Sequence, residues 1–399
     1  MVEWKKLGEV CDILNGFAFK SQEYVSEGIR IIRISDVQSG CISDKDKVFY
    51  PVEKVSEFER YLLHQGDLVM SLTGNPGRIA IIKDDSCALN QRVACLRAND
   101  VSRSFLFYLF NCKEFESIAF ANSTGGAQKN LSTAWLNNYR ILIPSLSEQQ
   151  RIVSILDTFT SSISNLKQQI EERRKQYNFL LDKLYYANKS ELFEATERGE
   201  VCVKTLDEIG TFTRGRRFVR TDIVEEGVPC IHYGDMYTYY GVCAEKTPTF
   251  LTKEKAEKLR FAKKGDVVIV AAGENDIDIG VGVAWLGEED VVVHDACFIF
   301  KHNMNPKYLS YFMRSMNYHL QIRMGVVDGK ICSISAKELG RTLAPVPSLQ
   351  AQSRIVSILD TFEQSIANLE EQLAMREKQY EYYRNQLLTF EGEEERGKT

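Results

Sequence analysis

At 399 residues, with 44% apolar and 26% charged side chains, the chain has the make-up of a soluble globular protein of two or three domains. No apolar run approaches the roughly 20 residues of a membrane span. No apolar segment follows residues 1–6 as a secretory signal requires, and the ten cysteines stand singly, away from zinc-ligand spacing, as in a reduced cytoplasmic protein. The net charge of −5 argues against a stand-alone DNA binder, yet the excess has an address. Residues 349–399 hold six Lys and Arg against ten Asp and Glu and include Glu393-Glu394-Glu395, while 1–348 are near neutral and leave room for a basic face.

In chain order, residues 29–34, 67–70, 78–82 and 93–96 read as short strands divided by Gly-marked turns. A helical stretch is expected over 104–120, followed by a polar Gly-containing loop at 123–132. Pro144-Ser145 then brakes the chain, and Ser147-Glu148 are placed to serve the first turn of a helix. In that helix apolar residues recur at steps of four and three: Ile152, Leu156, Phe159, Ile163, Leu166, Ile170, then Tyr177, Leu180 and Leu184, with Arg173 in the one gap. This is a heptad seam without internal Pro or Gly.

The chain then repeats. Residues 151–159 read RIVSILDTF, and residues 354–362 read the same, 203 positions later. Pro144-Ser145-Leu146 recurs as Pro347-Ser348-Leu349, and Gln149 as Gln352. The second seam runs Ile355, Leu359, Phe362, Ile366, Leu369, Leu373, Tyr380, Tyr383 and Leu387, with Arg376 in the same gap. At an offset near 199 the preceding regions also align: Gly16 with Gly215, Gly28 with Gly227, Asp36 with Asp235, and Gly66-Asp67 with Gly265-Asp266. Strands are expected at 267–270 and 291–293, a helical stretch at 306–323 and a polar loop at 325–333. The organisation is a duplicated α/β domain, each copy a curved sheet or open barrel with helices, followed by a long helix. The boundaries are 1–145, 146–187, 188–348, 349–390 and an acidic tail at 391–399. The cheapest partner for each seam is the other copy. Two like helices related by a two-fold axis run antiparallel, and Arg173 and Arg376 then set register or pair rather than catalyse.

This order, the tract PSLSEQQRIVSILD from Pro144 to Asp157, the strand Gly66–Val69, the stretch Leu89-Asn90-Gln91 and the loop 124–132 resemble the specificity subunits of type I restriction-modification systems over about residues 1–390. The second copy departs in two places: Ala351-Gln352-Ser353 stands for Glu148-Gln149-Gln150, and Val293-His294-Asp295 for Leu89-Asn90-Gln91. The resemblance implies that each variable domain reads one half of a split double-stranded DNA target, while the helices fix the spacer. It also implies two docked methyltransferase subunits, which bind S-adenosylmethionine and methylate adenine, and a restriction-motor subunit that can join them.

Independent of the resemblance, no chemistry is legible in the chain. Asn75-Pro76-Gly77 lacks the aromatic residue of a methyltransferase tetrapeptide, and Gly280-Val281-Gly282 lacks a third dinucleotide-loop glycine. Gly397-Lys398-Thr399 has no helix after it, and the five histidines show no HxxxH pair. No catalytic, cofactor or metal residue is expected. For DNA contact the candidates in the first domain are Lys20, Arg33, Ser35, Asn75, Arg78, Gln91, Arg92, Gln128, Lys129 and Asn130. Those in the second are Arg214, Arg216, Arg217, Arg220, Tyr233, Asn275, His294 and Lys330. Arginine and lysine neutralise phosphate, and Asn, Gln and Arg match base edges. The competing reading is a coiled-coil scaffold without DNA specificity, favoured by the acidic pI.

Overall fold

The computed structural model describes residues 2–390 except 86, 127, 275 and 328, and of Tyr237 the backbone alone. The acidic tail and Asn275 therefore lie outside the described residues. The chain forms two compact units, Met1–Leu166 with Gln372–Thr399, and Lys167–Glu371. Each unit holds one variable domain, the opening half of the long helix that follows it, and the closing half of the other long helix.

In the first unit Glu3–Lys6 pairs antiparallel with Arg140–Ile143, fastening the start of the domain to its end. An antiparallel sheet runs in the order Cys11–Asn15, Val93–Ala98, Leu68–Ser71, Ile79–Ile81. A mixed sheet runs Phe49–Tyr50, Ile29–Ile32, Cys87–Leu89, Leu62–Leu63, with its two central strands parallel. The second unit repeats both, with Gly210–Arg214, Cys297–His302, Val267–Val270 and Gly282–Trp285 in one sheet, and Thr249–Leu251, Val228–Ile231, Val291–Val293 and Phe261–Ala262 in the other. Each sheet there gains a fifth strand, Cys243–Ala244 and Ile223–Val224. The continuous apolar runs follow from burial on both faces: every residue of Val267–Val270 is enclosed.

Two repeated glycines are required by close approach. A Cβ on Gly16 would lie 2.1 Å from the Asn90 carbonyl oxygen, and one on Gly215 would lie 2.2 Å from that of His294. The same strand crossing is thus built twice.

The long helices are Leu146–Leu184 and Leu349–Leu388. Ser145 and Ser348 cap them, their hydroxyls accepting from the amides of Glu148 and Ala351, and Ser147 and Glu148 lie in the first turn as expected. The helical stretches expected as continuous are each broken. Arg103–Phe110 and Lys113–Ala121 are separate helices, as are Pro306–Phe312 and Met316–Ile322. Cys112 and Ser315 cap the second member of each pair and so restart the chain in a new direction.

Within each unit the two helix halves run antiparallel, as the repeat predicts. In the first unit Phe159 stacks on Tyr383 with ring centroids 5.3 Å apart, and the Arg376 guanidinium lies 5.7 Å from the Phe159 ring centre. In the second, Arg173 lies 5.6 Å from the Phe362 ring centre, Tyr177 donates to Glu363, and Arg174 pairs with Glu370. The two gap arginines therefore face aromatic rings of the opposite seam, a cation–π arrangement that fixes register. Seam residues Phe159, Ile163, Leu166, Phe362, Ile366, Leu369 and Leu373 are half-buried, as in a two-helix coil, and Ile170 is buried.

Leu156 and Leu359, expected in the seam, are wholly buried in the cores of the domains. The first core also takes in Tyr380, Leu387 and Leu388, and the second takes in Tyr177, Leu180, Leu181, Leu184 and Tyr185. Within each unit both helix halves enter the domain core together, so there the seam and the core are continuous.

One half-buried group, His302, is expected to make the second unit acid-sensitive. Burial pushes the His302 imidazole down to about 4, and its Nδ1 accepts from the Met304 amide while Nε2 is buried without a partner. The folded value lies below the unfolded one, so stability is complete above about pH 6.5 and is lost as pH falls toward 4. The expected loss is about 2–4 kcal/mol in chemical denaturation. His302→Asn, which keeps the acceptor, should flatten that pH profile, and an unchanged profile would refute the assignment to His302.

Candidate nucleic-acid interface

In the first domain three loops meet at one end of the strand Leu68–Ser71. The Leu72 amide donates to the Arg92 carbonyl at 3.0 Å, and the Leu131 amide donates to the Leu72 carbonyl at 2.7 Å. The Gly74 amide donates to Lys129, and the Thr73 hydroxyl donates to the Asn130 side-chain oxygen at 2.9 Å. On the far side the Gln91 amide donates to Phe17. Asn75, Gln91, Arg92, Gln128 and Asn130 are thereby gathered and exposed, though they come from three stretches of sequence. Lys129 is half-buried, its ammonium 5.5 Å from the Phe120 ring centre.

Other candidates are committed to the fold. Arg33 holds the buried Asp36 through Nε and Nη2 at 3.3 and 3.2 Å and also donates to the Asp46 carbonyl. Ser35 donates to the same carboxylate at 3.3 Å. That carboxylate closes the turn by accepting from the Arg33 amide at 2.8 Å, and Asp235 repeats the bond with the His232 amide at 3.1 Å. Arg78 donates to Gln38 at 2.9 Å, and its Nε is buried without a partner. Lys20 is exposed, 3.7 Å from Glu23, whose carboxyl is pulled down to about 2 by hydrogen bonds from Lys54 and Tyr50.

In the second domain the strand end Arg214 and the segment after it run beside the turn at 293–297. Arg214 donates through Nε to the Asp295 carbonyl, and Arg216 through Nη1 to the Lys258 carbonyl, both at 2.8 Å. Arg217 and Arg220 are exposed, and among the described residues neither has an ion pair or side-chain hydrogen bond. Next to them His232, Tyr233 and His294 form a ring cluster, with centroids 4.5, 5.1 and 5.5 Å apart. Burial lowers the affinity of both imidazoles for a proton. Both ring nitrogens of His294 are engaged, Nε2 with the Phe218 carbonyl and Nδ1 with the Ala296 amide. Lys330 is exposed on the hairpin closed by Val327 and Ser333.

Gln38 and Arg260, which donates to the Arg214 carbonyl, escaped the sequence reading. Their partners lie 40 and 46 residues away, so no local pattern marks them. The hairpin loops show how the copies diverge. Thr124 and Asn130 bridge in the first domain as Val327 and Ser333 do in the second. Thr73 bridges Asn130, as the strand Ala272–Gly273 pairs with Cys332–Ser333. One backbone frame therefore carries two sets of exposed side chains, which is what two readers of different targets require.

Comparison with known proteins agrees with this frame. Residues 1–173 and 199–375 match the family model described as the type I restriction modification DNA specificity domain. The chain belongs to that family. The matched segments coincide with the two repeats and the opening of each long helix. Among relatives, the EcoAI specificity subunit of Escherichia coli is 34% identical over 46% of this chain and 32% of its own length. The EcoR124I/EcoR124II specificity subunit, also of Escherichia coli, is 29% identical over 64% of this chain and 65% of its own. The chain thus spans less than two thirds of either relative. A candidate specificity subunit of Haemophilus influenzae is 25% identical over 98% of this chain and 96% of its own. The fold is shared with the crystal structure of a type I specificity subunit from M. genitalium, at 16% identity, 98% and 96% coverage and a TM-score of 0.56. It is shared also with a chain from a study of type I complex assembly and conformational transition, at 19% identity, 97% and 96% coverage and a TM-score of 0.59. Among the described residues no helix is long and apolar enough to cross a membrane.

Proposed function

We propose that this chain is the DNA-specificity subunit of a cytoplasmic type I restriction-modification complex, and that each unit reads one half of a bipartite double-stranded target. The observation that carries this reading is the duplicated loop frame, alike in backbone pairing and different in exposed side chains. Asn75, Gln91 and Gln128 present amides able to bridge an adenine edge, and Arg92, Arg217, Arg220 and Lys330 present cations to phosphate. The chain itself performs no bond chemistry in this reading. Two methyltransferase subunits supply S-adenosylmethionine and transfer its methyl group to adenine, and a restriction-motor subunit joins where one is encoded. The near-neutral charge of the readers is compatible with partner subunits sharing the phosphate neutralisation.

The test is adenine-methylation mapping of DNA from cells expressing the chain with its methyltransferase. A split motif with a constant gap, lost when the chain is deleted, is the expected result, and methylation independent of the chain would refute the reading. The scaffold alternative is separated by Arg217→Ala with Arg220→Ala. As DNA contacts, these should lower the salt dependence of complex binding by about one logarithmic unit of slope each. As scaffold surface, they should change nothing.

A further inference from the structure

The second domain carries an exposed apolar face where the first carries a mostly polar one, broken by the exposed Phe120. Ile277 is 77% exposed and Met324 is 94% exposed, and with Met316 and Leu320 they line one open groove. Val327 and Ile331, also exposed, stand on the hairpin beyond it. The repeat-equivalent positions, 203 residues earlier, are Lys113, Ser117, Ala121, Thr124 and Gln128. The bridges Thr124–Asn130 and Val327–Ser333 show that the equivalence is one of backbone position as well as of sequence. Polar residues give way to apolar ones at four of these positions and Ala121 to the larger Met324, and an exposed face changed in this way costs solubility unless it has an occupant.

We propose that this face is a specificity determinant of the second unit, which recognises thymine 5-methyl groups in the major groove of its half-site. The proposal rests on the DNA-reading function argued above. Three observations select DNA as the occupant. The face is continuous with the paired segments Ala272–Gly273 and Cys332–Ser333, the frame that in the first domain carries the amide readers. Two exposed cations accompany it, Arg323 in the groove lining and Lys330 on the hairpin, and they outnumber the one carboxylate of the lining, Asp276, as suits neighbouring phosphates. Ile331 takes the exposed position of Gln128, so an aliphatic contact stands where the other domain offers a hydrogen-bonding amide. Thymine alone among the bases presents a methyl group in the major groove, and apolar side chains read it by contact. The two units then discriminate by different chemistry: amide bridges in one, methyl contacts in the other.

The experiment uses the complex of the full chain with its methyltransferase and a duplex bearing the mapped target. Each thymine of either half-site is replaced in turn by deoxyuridine, which removes only the methyl group. The expected result is a loss of affinity of roughly three- to fivefold per contacted thymine, the factor for exposing one methyl group, confined to one half-site. Ile331→Gln and Met324→Gln, both at exposed positions, should abolish the deoxyuridine penalty there and leave the other half-site unchanged. A deoxyuridine scan without effect in the half-site that Ile331→Gln alters, or a half-site lacking A·T pairs, overturns the proposal. So does a loss of methyltransferase assembly with DNA discrimination intact, which would mark the face as a protein contact. Absence of any sequence preference in the unaltered complex would instead refute the underlying reading.

Discussion

Leu359→Ala is expected to lower stability by about 3–5 kcal/mol, and Leu156→Ala by a similar amount, in chemical denaturation of the full chain. Both leucines are wholly buried, and each sits where a long helix enters a domain core. Leu359 shares its core with Val267–Val270 and the helix Pro306–Phe312, so truncation leaves a cavity bounded by strands and helices that cannot close on it. The controls are Leu166→Ala and Leu369→Ala, about three turns further along each helix. These are half-buried between two helices, and their expected cost is about 1–2 kcal/mol. Equal losses at all four positions would mean that the helix seam, not the merging of seam and core, carries the stability.

The contrast between these leucines marks where sequence reading stops. The heptad spacing identifies Leu156, Leu166, Leu359 and Leu369 alike as inward-facing, because periodicity reports which side of a helix is apolar. It does not report what lies opposite, and the domain core competes with the sister helix for the same stripe. The duplication was legible because nine consecutive residues recur, and the gap arginines were legible as register-setting because they recur with them. Their aromatic partners Phe362 and Phe159 depend on the antiparallel pairing, which symmetry of the repeat supplies. The site was less legible. Asn75, Gln91 and Gln128 were visible as polar loop residues, but their gathering rests on bonds such as Thr73 to Asn130, 57 positions apart. Arg33 and Arg78 looked equally suited to DNA, and only tertiary contacts with Asp36 and Gln38 show them to be engaged in the fold.

The repeated glutamines give the second large effect. Gln149 is buried, accepts from the Ser102 amide at 2.7 Å and donates to the Pro144 carbonyl at 2.8 Å. Gln352 makes the same two bonds with the Asn305 amide and the Pro347 carbonyl, both at 2.8 Å. Each side chain therefore satisfies two backbone groups at the first turn of a long helix and ties that turn to the loop before a domain helix. Tyr108 with Asp157 and Tyr311 with Asp360 add a second tie two turns on, at 2.6 and 2.7 Å. Gln→Leu at either position keeps the volume and deletes both bonds, leaving an amide and a carbonyl without partners. The expected cost is about 2–4 kcal/mol per site, read by chemical denaturation. Gln→Glu keeps the acceptor but turns a carboxylate toward the Pro carbonyl. It should cost more than Leu at pH 7 and recover part of the loss on acidification. The sign follows from burial: the folded carboxyl titrates above its unfolded value, so its penalty is absent at low pH and grows as pH rises. A neutral Gln149→Leu would show that the loop, not the glutamine, holds the helix start. Equal costs at Gln149 and Gln352 would show that the tie was duplicated with the domain and kept in both copies while the reading loops diverged.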